Sequence, residues 1–398
     1  MVKIYSSALE ETLEVDRILG HLKGTETGPT LVFFAGIHGN EPAGIFALNH
    51  IIRELKLKQT PIYGQFYAIA GNLGALKRNV RFQEKDLNRI WSNNGLKEIG
   101  DNKGIVAADE WEMQQLYRLL TEIVDENKPP YYFIDLHTTS GDTSPFMVLN
   151  DSLLNRKFAS NYPLPIILGI EEYLEGALLS YINELGYISL GFESGRHGDI
   201  VSIQNSIHFI RYTLGLTEVV PIAPWDMGTL RKEILKSSSV PNKFYEIYYQ
   251  YEIAHGTEFR MSPGFVNFQR IPRGRELATH NNKKLITKRR RQIFMPLYQD
   301  LGNEGFYYIK SIPRILLWIS KGLRKFKVDH LLVRLPGIRW TSLKKDTLLV
   351  DQRIAKFMAK SFFHLLGYRA RQFDKTHLVV KSRETSSKTS DYAKTLWS

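Results

Sequence analysis

Two histidines and a glutamate stand where two apolar runs end. Leu31 to Ala35 is a short run of buried-strand type that leads through Gly36 into His38, Gly39 and Glu41. A second run, Tyr131 to Leu136, delivers His137, followed by Thr138, Thr139, Ser140 and Gly141. Imidazole and carboxylate suit zinc, and two histidines with one carboxylate form the three-ligand set that leaves a catalytic zinc one open position. A His-x-x-Glu pair alone reads equally well as a solvated turn with a capping glutamate, since surface turns are rich in both types. The second strand end tips the balance, so one Zn2+ ion is expected on His38, Glu41 and His137. Iron or cobalt would also accept these ligands.

The elements that must position these groups are read from the pattern around them. Ile45, Leu48, Ile52 and Leu55 recur at helical spacing after the first run, with Asn40 expected as N-cap and Pro42 in the first turn. The pair His38 and Glu41 therefore sits at the carboxyl end of a strand, where α/β sheets place their sites. Gln65 to Ala70 reads as a further strand, and the loop after it continues to Trp91, long enough to suggest function. Asp109 to Asp125 is helical by pattern, with Asp109 and Glu112 at capping-box spacing, and Pro129 and Pro130 stop it before the Tyr131 strand. Tyr187 to Phe192 reads as a strand, with helices expected over Glu171 to Leu185 and Asp199 to Leu214. Strands alternating with helices predict an α/β fold with a mixed sheet.

Near Lys243 the texture changes. Phe244 to Ile253 carries Tyr245, Tyr248, Tyr249 and Tyr251, and Gly256, Gly264 and Gly274 punctuate the short segments after it. A small β domain is expected over 241–310, its aromatics serving strand packing rather than base stacking, because no RNA-binding motif accompanies them. Beyond it, 311–398 is expected to be a basic helical extension, with apolar residues at helical spacing over Ile354 to Tyr368 and a polar, frayed segment from Lys381 to Lys394. The three expected domains are thus 1–240, 241–310 and 311–398.

The absence of cysteine excludes a disulfide and a thiolate ligand or nucleophile. No run approaches the ~18 apolar residues of a spanning helix, and the first residues lack a signal-peptide pattern. A cytoplasmic protein with no transmembrane segment is expected. The net charge of +12 is unevenly placed: residues 283–398 carry 26 Lys and Arg against 8 Asp and Glu, whereas residues 1–282 carry 27 against 33. Such asymmetry suits a polyanion or membrane-surface partner, or a basic surface facing acidic substrates.

Four motifs in order, His38-x-x-Glu41, the Asp86 to Arg89 DLNR, the Asp135 to His137 DLH and Glu193 in GFESG, resemble the succinylglutamate desuccinylase and aspartoacylase family. That family belongs to the wider zinc carboxypeptidase group, and the resemblance runs over about residues 30 to 310. It implies a zinc carboxypeptidase-like mixed sheet flanked by helices as the catalytic domain. It also implies that Glu193 is the general base that later protonates the leaving amine, and that Arg81 polarises the carbonyl, with Arg78 the nearby competitor. Asn88 and Arg89 would hold the substrate carboxylate. Asp135 is read as a partner behind His137 or a buried salt-bridge residue, and His197 as a bystander.

One position departs from the aspartoacylase pattern. Asn183 stands ten residues before Glu193, where that enzyme has an arginine for the substrate's side-chain carboxylate. This argues against N-acetylaspartate as substrate, and Arg196 or Tyr298 is a candidate to supply polar contacts instead. The resemblance implies zinc-dependent hydrolysis of the amide bond of a small-molecule N-acyl amino acid, with no nucleic acid partner. Two other readings stand beside it. One is a metallocarboxypeptidase acting on peptides. The other is a non-enzymatic protein that binds polyanions or a membrane surface through its basic tail, where Lys288 to Arg291, Trp318 and Phe326 lie. The sequence carries no signal of oligomeric state.

Overall fold

The computed structural model describes residues 1–92, 107–221, 224–355, 360–372, 374 and 376–398. Its centre is an eleven-stranded mixed sheet. The strands Glu26–Ala35, Tyr131–Thr139 and Ile188–Arg196 lie side by side and parallel in its middle. Both faces of these strands are covered, as their continuous apolar runs require. Leu31, Phe33 and Ala35 point to one layer of helices, Ala43–Leu57, Ile200–Leu216 and Met227–Ser237. Val32 and Phe34 point to the other, Ala108–Glu126 and Leu178–Glu184.

Several local expectations are revised by tertiary partners. The Ala43–Leu57 helix has Pro42 rather than Asn40 as its N-cap residue. Asn40 instead donates through Nδ2 to Gln299, 3.1 Å away. Asp109 does not cap its helix. It is fully buried and accepts from the backbone N–H of Gln83, Glu84 and Lys85 at 3.2, 2.7 and 2.9 Å, and from Asn72 Nδ2 at 2.6 Å. Glu112 receives the Gly74 N–H and pairs with Arg17. A buried carboxylate is stable only when donors surround it, so these two acids bind the long loop instead of closing a capping box. The Glu171 to Leu185 helix is shorter than expected. A 3-10 turn, Ile170–Glu172, precedes Leu178–Glu184, and between them Gly176 turns with φ +67°. A Cβ there would lie 2.1 Å from the Arg89 carbonyl oxygen, so only glycine permits this approach.

The sheet does not stop at residue 240. Phe244–Glu252 pairs in parallel with Ile166–Leu168 and antiparallel with Glu304–Ser311, which pairs in turn with Arg291–Phe294. Strands before and after residue 240 thus belong to one sheet.

The extension is not simply helical. After the helix Arg314–Lys325, the strands Ile338–Trp340, Thr347–Asp351, His377–Ser382 and Tyr368–Gln372 form a four-stranded antiparallel sheet. Leu348, Val350, Leu378 and Val380 alternate inward at period two and, with Phe363, Leu366 and Tyr368, form its core. Of the helical stretch expected over 354–368, residues 356–359 lie outside the described residues, and Lys360–Leu365 is helix. Nor is the segment after Lys381 frayed. Tyr392 is buried and donates to the Tyr131 carbonyl, while Trp397 donates from Nε1 to Tyr132 Oη at 3.0 Å. These aromatics bury their rings against the central strand while their polar atoms find partners, which a polar composition conceals.

Candidate active site

The ends of the three central strands converge. Glu41 stands between the two histidines: its Oε1 lies 2.9 Å from His38 Nδ1 and its Oε2 3.0 Å from His137 Nδ1. All three residues are buried, and their ligand atoms lie within 4.8 Å of one another. Two donors sharing one ion at about 2.0–2.1 Å in tetrahedral geometry are roughly 3.3 Å apart, so small adjustments would seat a single cation among them. The outer ring nitrogens are also held. His38 Nε2 is 3.2 Å from Asp86 Oδ1, and His137 Nε2 is 2.7 Å from Asp135 Oδ2. Carboxylates behind imidazoles orient the rings and raise their basicity, an arrangement typical of metal-binding histidines. By donor type and spacing the group fits zinc.

Burial and charge compete at each acid. Burial opposes ionisation of Glu41, but His38 and His137 hold its carboxyl well below the usual range. Burial likewise opposes ionisation of Asp86, where His38, Arg81 and Arg89 prevail. At His137 burial favours the neutral ring, yet Asp135 and Glu41 raise its pKa well above the ordinary imidazole value. Glu193 behaves oppositely. Burial pushes its carboxyl up to about 8; His137 opposes this, and Glu41 and Asp135 add to it. Among the described residues its Oε2 has no hydrogen-bond partner, and strand pairing sets it directly beside His137. A carboxylate poised near neutral pH can both accept and return a proton.

The long loop brings Arg81 to the same place. Gly39 donates its N–H to the Arg81 carbonyl at 3.1 Å, and a Cβ on Gly39 would lie 2.1 Å from the Ala75 backbone, so the chains meet only without a side chain. Arg81 Nη2 is 3.1 Å from Asp86 Oδ2, and its Nη1 is 3.7 Å from Glu41 Oε1. Asn88 and Arg89 also line the pocket, which measures about 1060 Å³ including its open mouth. Asn88 Oδ1 accepts the Leu178 N–H at 2.9 Å. Arg89 Nη2 is 3.1 Å from Glu304 Oε1.

Other candidates lie elsewhere. Arg78 is exposed in the last turn of the Leu73–Arg78 helix and does not line the pocket. Arg196 is exposed beside Asp142, and Tyr298 is occupied by the Ser262 carbonyl and the Phe265 N–H. Asn183 is buried away from the pocket. His197, taken as a bystander, does line it, with Nδ1 2.6 Å from Thr138 Oγ1. Residues of the 295–307 segment, including Leu297, Gln299, Glu304 and Tyr307, form a pocket wall; the sequence suggests that the 241–310 part shapes the mouth but does not single out these residues. Only the sheet's continuation past 240 delivers them, and no local pattern announces it.

Comparison with known proteins places the chain among similar sequences and folds. Residues 27–199 match the family model described as the succinylglutamate desuccinylase/aspartoacylase catalytic domain. Succinylglutamate desuccinylase of Serratia proteamaculans is 30% identical over 113 residues, which are 28% of this chain and 33% of that protein. The match thus spans about a third of that relative's length. Succinylglutamate desuccinylase/aspartoacylase from Rhodobacter sphaeroides aligns with a TM-score of 0.55 at 17% identity, over 78% of this chain and 94% of that one. Succinylglutamate desuccinylase from Vibrio cholerae aligns at 0.54 and 17%, over 78% and 91%. Both structures share the mixed α/β fold.

Proposed function

We propose, from the premise that this chain belongs to the succinylglutamate desuccinylase/aspartoacylase family, that it is a zinc-dependent hydrolase cleaving the amide bond of an N-acyl amino acid. The observation that carries this reading is the buried His38, Glu41 and His137 group with Glu193 beside it, whose Oε2 has no partner among the described residues. His38, Glu41 and His137 would hold one zinc ion, which when bound supplies Lewis acidity toward the scissile carbonyl and the attacking water.

Glu193 takes the proton from the attacking water and then delivers it to the amine nitrogen as the C–N bond breaks. The water oxygen ends in the carboxylic acid product, and the amino acid leaves with its nitrogen protonated. Arg81, held in place by Asp86, lies where a guanidinium can stabilise charge developing on the carbonyl oxygen. Asn88 and Arg89 receive the substrate carboxylate, for which Arg89 offers a planar fork. Asp86 and Asp135 act as positioning residues through the two imidazoles. Arg78 has no part in this scheme, because it faces solvent away from the pocket. The wall built by 295–307 favours a short acyl amino acid over an extended peptide, which needs an open cleft.

The test is release of free amino acid from a panel of N-succinylglutamate, N-acetylaspartate, other N-acyl amino acids and short peptides. Each is assayed with the chelated and the zinc-restored protein. Turnover that needs zinc and disappears in Glu193→Ala is the expected result. Preference for peptides would move the reading to a carboxypeptidase, and failure to bind zinc would overturn the mechanism.

A further inference from the structure

The helix Arg314–Lys325 turns much of its apolar surface to solvent. Its sequence, RILLWISKGLRK, places Ile315, Trp318, Ile319 and Gly322 on one face, continued by Phe326 at the C-cap. On a helix packed against a globular domain that face would turn inward. Here it turns outward: Ile315 is 59% exposed, Trp318 72% and Phe326 77%. The side that packs on the protein carries the buried Ser320 and Arg324, with Leu317 and Leu323 packed against neighbouring cores. Arg324 reaches Asp151 and Glu384 at 2.9 and 3.0 Å, and Ser320 Oγ donates to the Leu365 carbonyl at 2.7 Å. These polar bonds fix the rotation of the helix, so the apolar face is held toward solvent.

The exposed charged residues of the helix itself are all cations. Arg314, Lys321 and Lys325 recur at i, i+7 and i+11, forming an exposed row along one edge of the apolar face, and Lys327 follows it. The segment 283–398, to which the helix belongs, holds 26 Lys and Arg against 8 Asp and Glu. A tryptophan, isoleucine and phenylalanine bordered by cations is the composition of a helix that lies in the headgroup region of an anionic membrane. Twelve residues span only about 18 Å, so the helix would lie along the surface and not cross it. A second copy of this chain is a poorer occupant, since it presents the same cationic flank. Nucleic acid is poorer still, because the centre of the face is aliphatic.

We propose that this face docks the protein on anionic lipid headgroups, with Ile315, Trp318 and Phe326 entering the interface and Arg314, Lys321 and Lys325 meeting lipid phosphates. The inference is independent of the hydrolase chemistry. The experiment is co-sedimentation of the full chain with phosphatidylglycerol-containing vesicles and with phosphatidylcholine vesicles, alongside its oligomeric state by light scattering. The paired variants are Ile315→Ser with Trp318→Ser, and Lys321→Gln with Lys325→Gln. All four side chains are solvent-facing, so an unchanged thermal midpoint verifies folding.

Binding to the anionic vesicles alone is expected, weakened by salt and abolished by the apolar pair. The lysine pair should lose about thirtyfold in partitioning, at roughly 1 kcal/mol for each basic residue near such a surface. Failure to bind anionic vesicles overturns the proposal, as does binding unaffected by the apolar pair. A dimer that dissociates in the apolar pair, without vesicle binding, assigns the face to a second copy. DNA retention lost only in the lysine pair, again without vesicle binding, assigns it to nucleic acid.

Discussion

Glu193 is costly to the fold and useful to the reaction. Its folded pKa of about 8 lies above the ordinary carboxyl value of ~4.3, so the ionised form is disfavoured in the native state. The stability this group permits is present below pH ~4 and is lost as pH rises through the folded value. Glu193→Gln is therefore expected to raise the thermal midpoint of the zinc-free protein, by an amount that grows between about pH 5 and pH 8. The same variant should lower kcat by roughly two to four orders of magnitude if Glu193 is the base. A calorimetric pH series and steady-state rates measure the two effects separately. Glu304 makes a different prediction. Its carboxylate already occupies Arg89, so a substrate carboxylate must compete for the same guanidinium. Glu304→Gln should lower KM for carboxylate substrates by up to about fivefold, the scale of one partly exposed ion pair, with kcat little changed. A raised KM would show that the pair assembles the site.

The loop from Gly71 to Trp91 owes its shape to the helix Ala108–Glu126. Asp109 gathers three consecutive loop N–H groups and the Asn72 side chain, and Glu112 gathers Gly74 and Arg17. Arg81 and Asp86 flank the clamped stretch 83–85. Removing the carboxylate strands several buried donors, each worth ~1–3 kcal/mol. Asp109→Ala is expected to cost about 3 kcal/mol or more of unfolding free energy. It should also reduce kcat, although Asp109 is not among the residues lining the pocket. Denaturant unfolding and turnover on the preferred substrate check both parts. Full activity in a destabilised variant would mean that Arg81 is held from elsewhere.

Taken as a whole, the protein joins its C-terminal segment to the catalytic part through buried charge. Asp151 faces Arg156, Arg324 and Arg383, while Arg383 also meets Glu171 and Glu172. Glu171 lines the pocket, so this network reaches from the extension to the pocket wall. Burial opposes ionisation of Asp151, but the three guanidinium groups outweigh it and lower its pKa. The stability it contributes is present above its unfolded value near ~3.9 and is lost as pH falls toward the folded one. Arg324→Ala removes one of the three guanidinium groups around Asp151 and the ion-pair partner of Glu384, and should cost about 3 kcal/mol. Acid unfolding of the variant should depend less on pH below about 4 than that of the parent protein. The division into separate domains 1–240, 241–310 and 311–398 is a proposal that limited proteolysis tests. The sheet joining Ile166–Leu168 to Phe244–Glu252 predicts no cleavage-tolerant link near 240.

Much of the candidate site is legible in the sequence alone. The runs ending at Ala35, Leu136 and Phe192 are too apolar to lie anywhere but inside a sheet, and each stops at residues that tolerate a polar edge. Parallel strands joined by helices bring their carboxyl ends to one side, so His38, Glu41, His137 and Glu193 were bound to converge. Periodicity also reveals that 314–325 is amphipathic. It does not reveal which face is covered, because that depends on Arg324 meeting Asp151, 173 residues away. Glu304 reaches Arg89 across 215 residues, and Asp86 reaches His38 across 48. Arg81 faces the pocket and Arg78 faces solvent although they are three residues apart, because the loop's direction is set by Asp109. Local sequence dictates strand, helix and polar edge through sterics and solvation. The partners of a buried charge are chosen only when distant segments pack, and those choices decided what lines the pocket and what faces out.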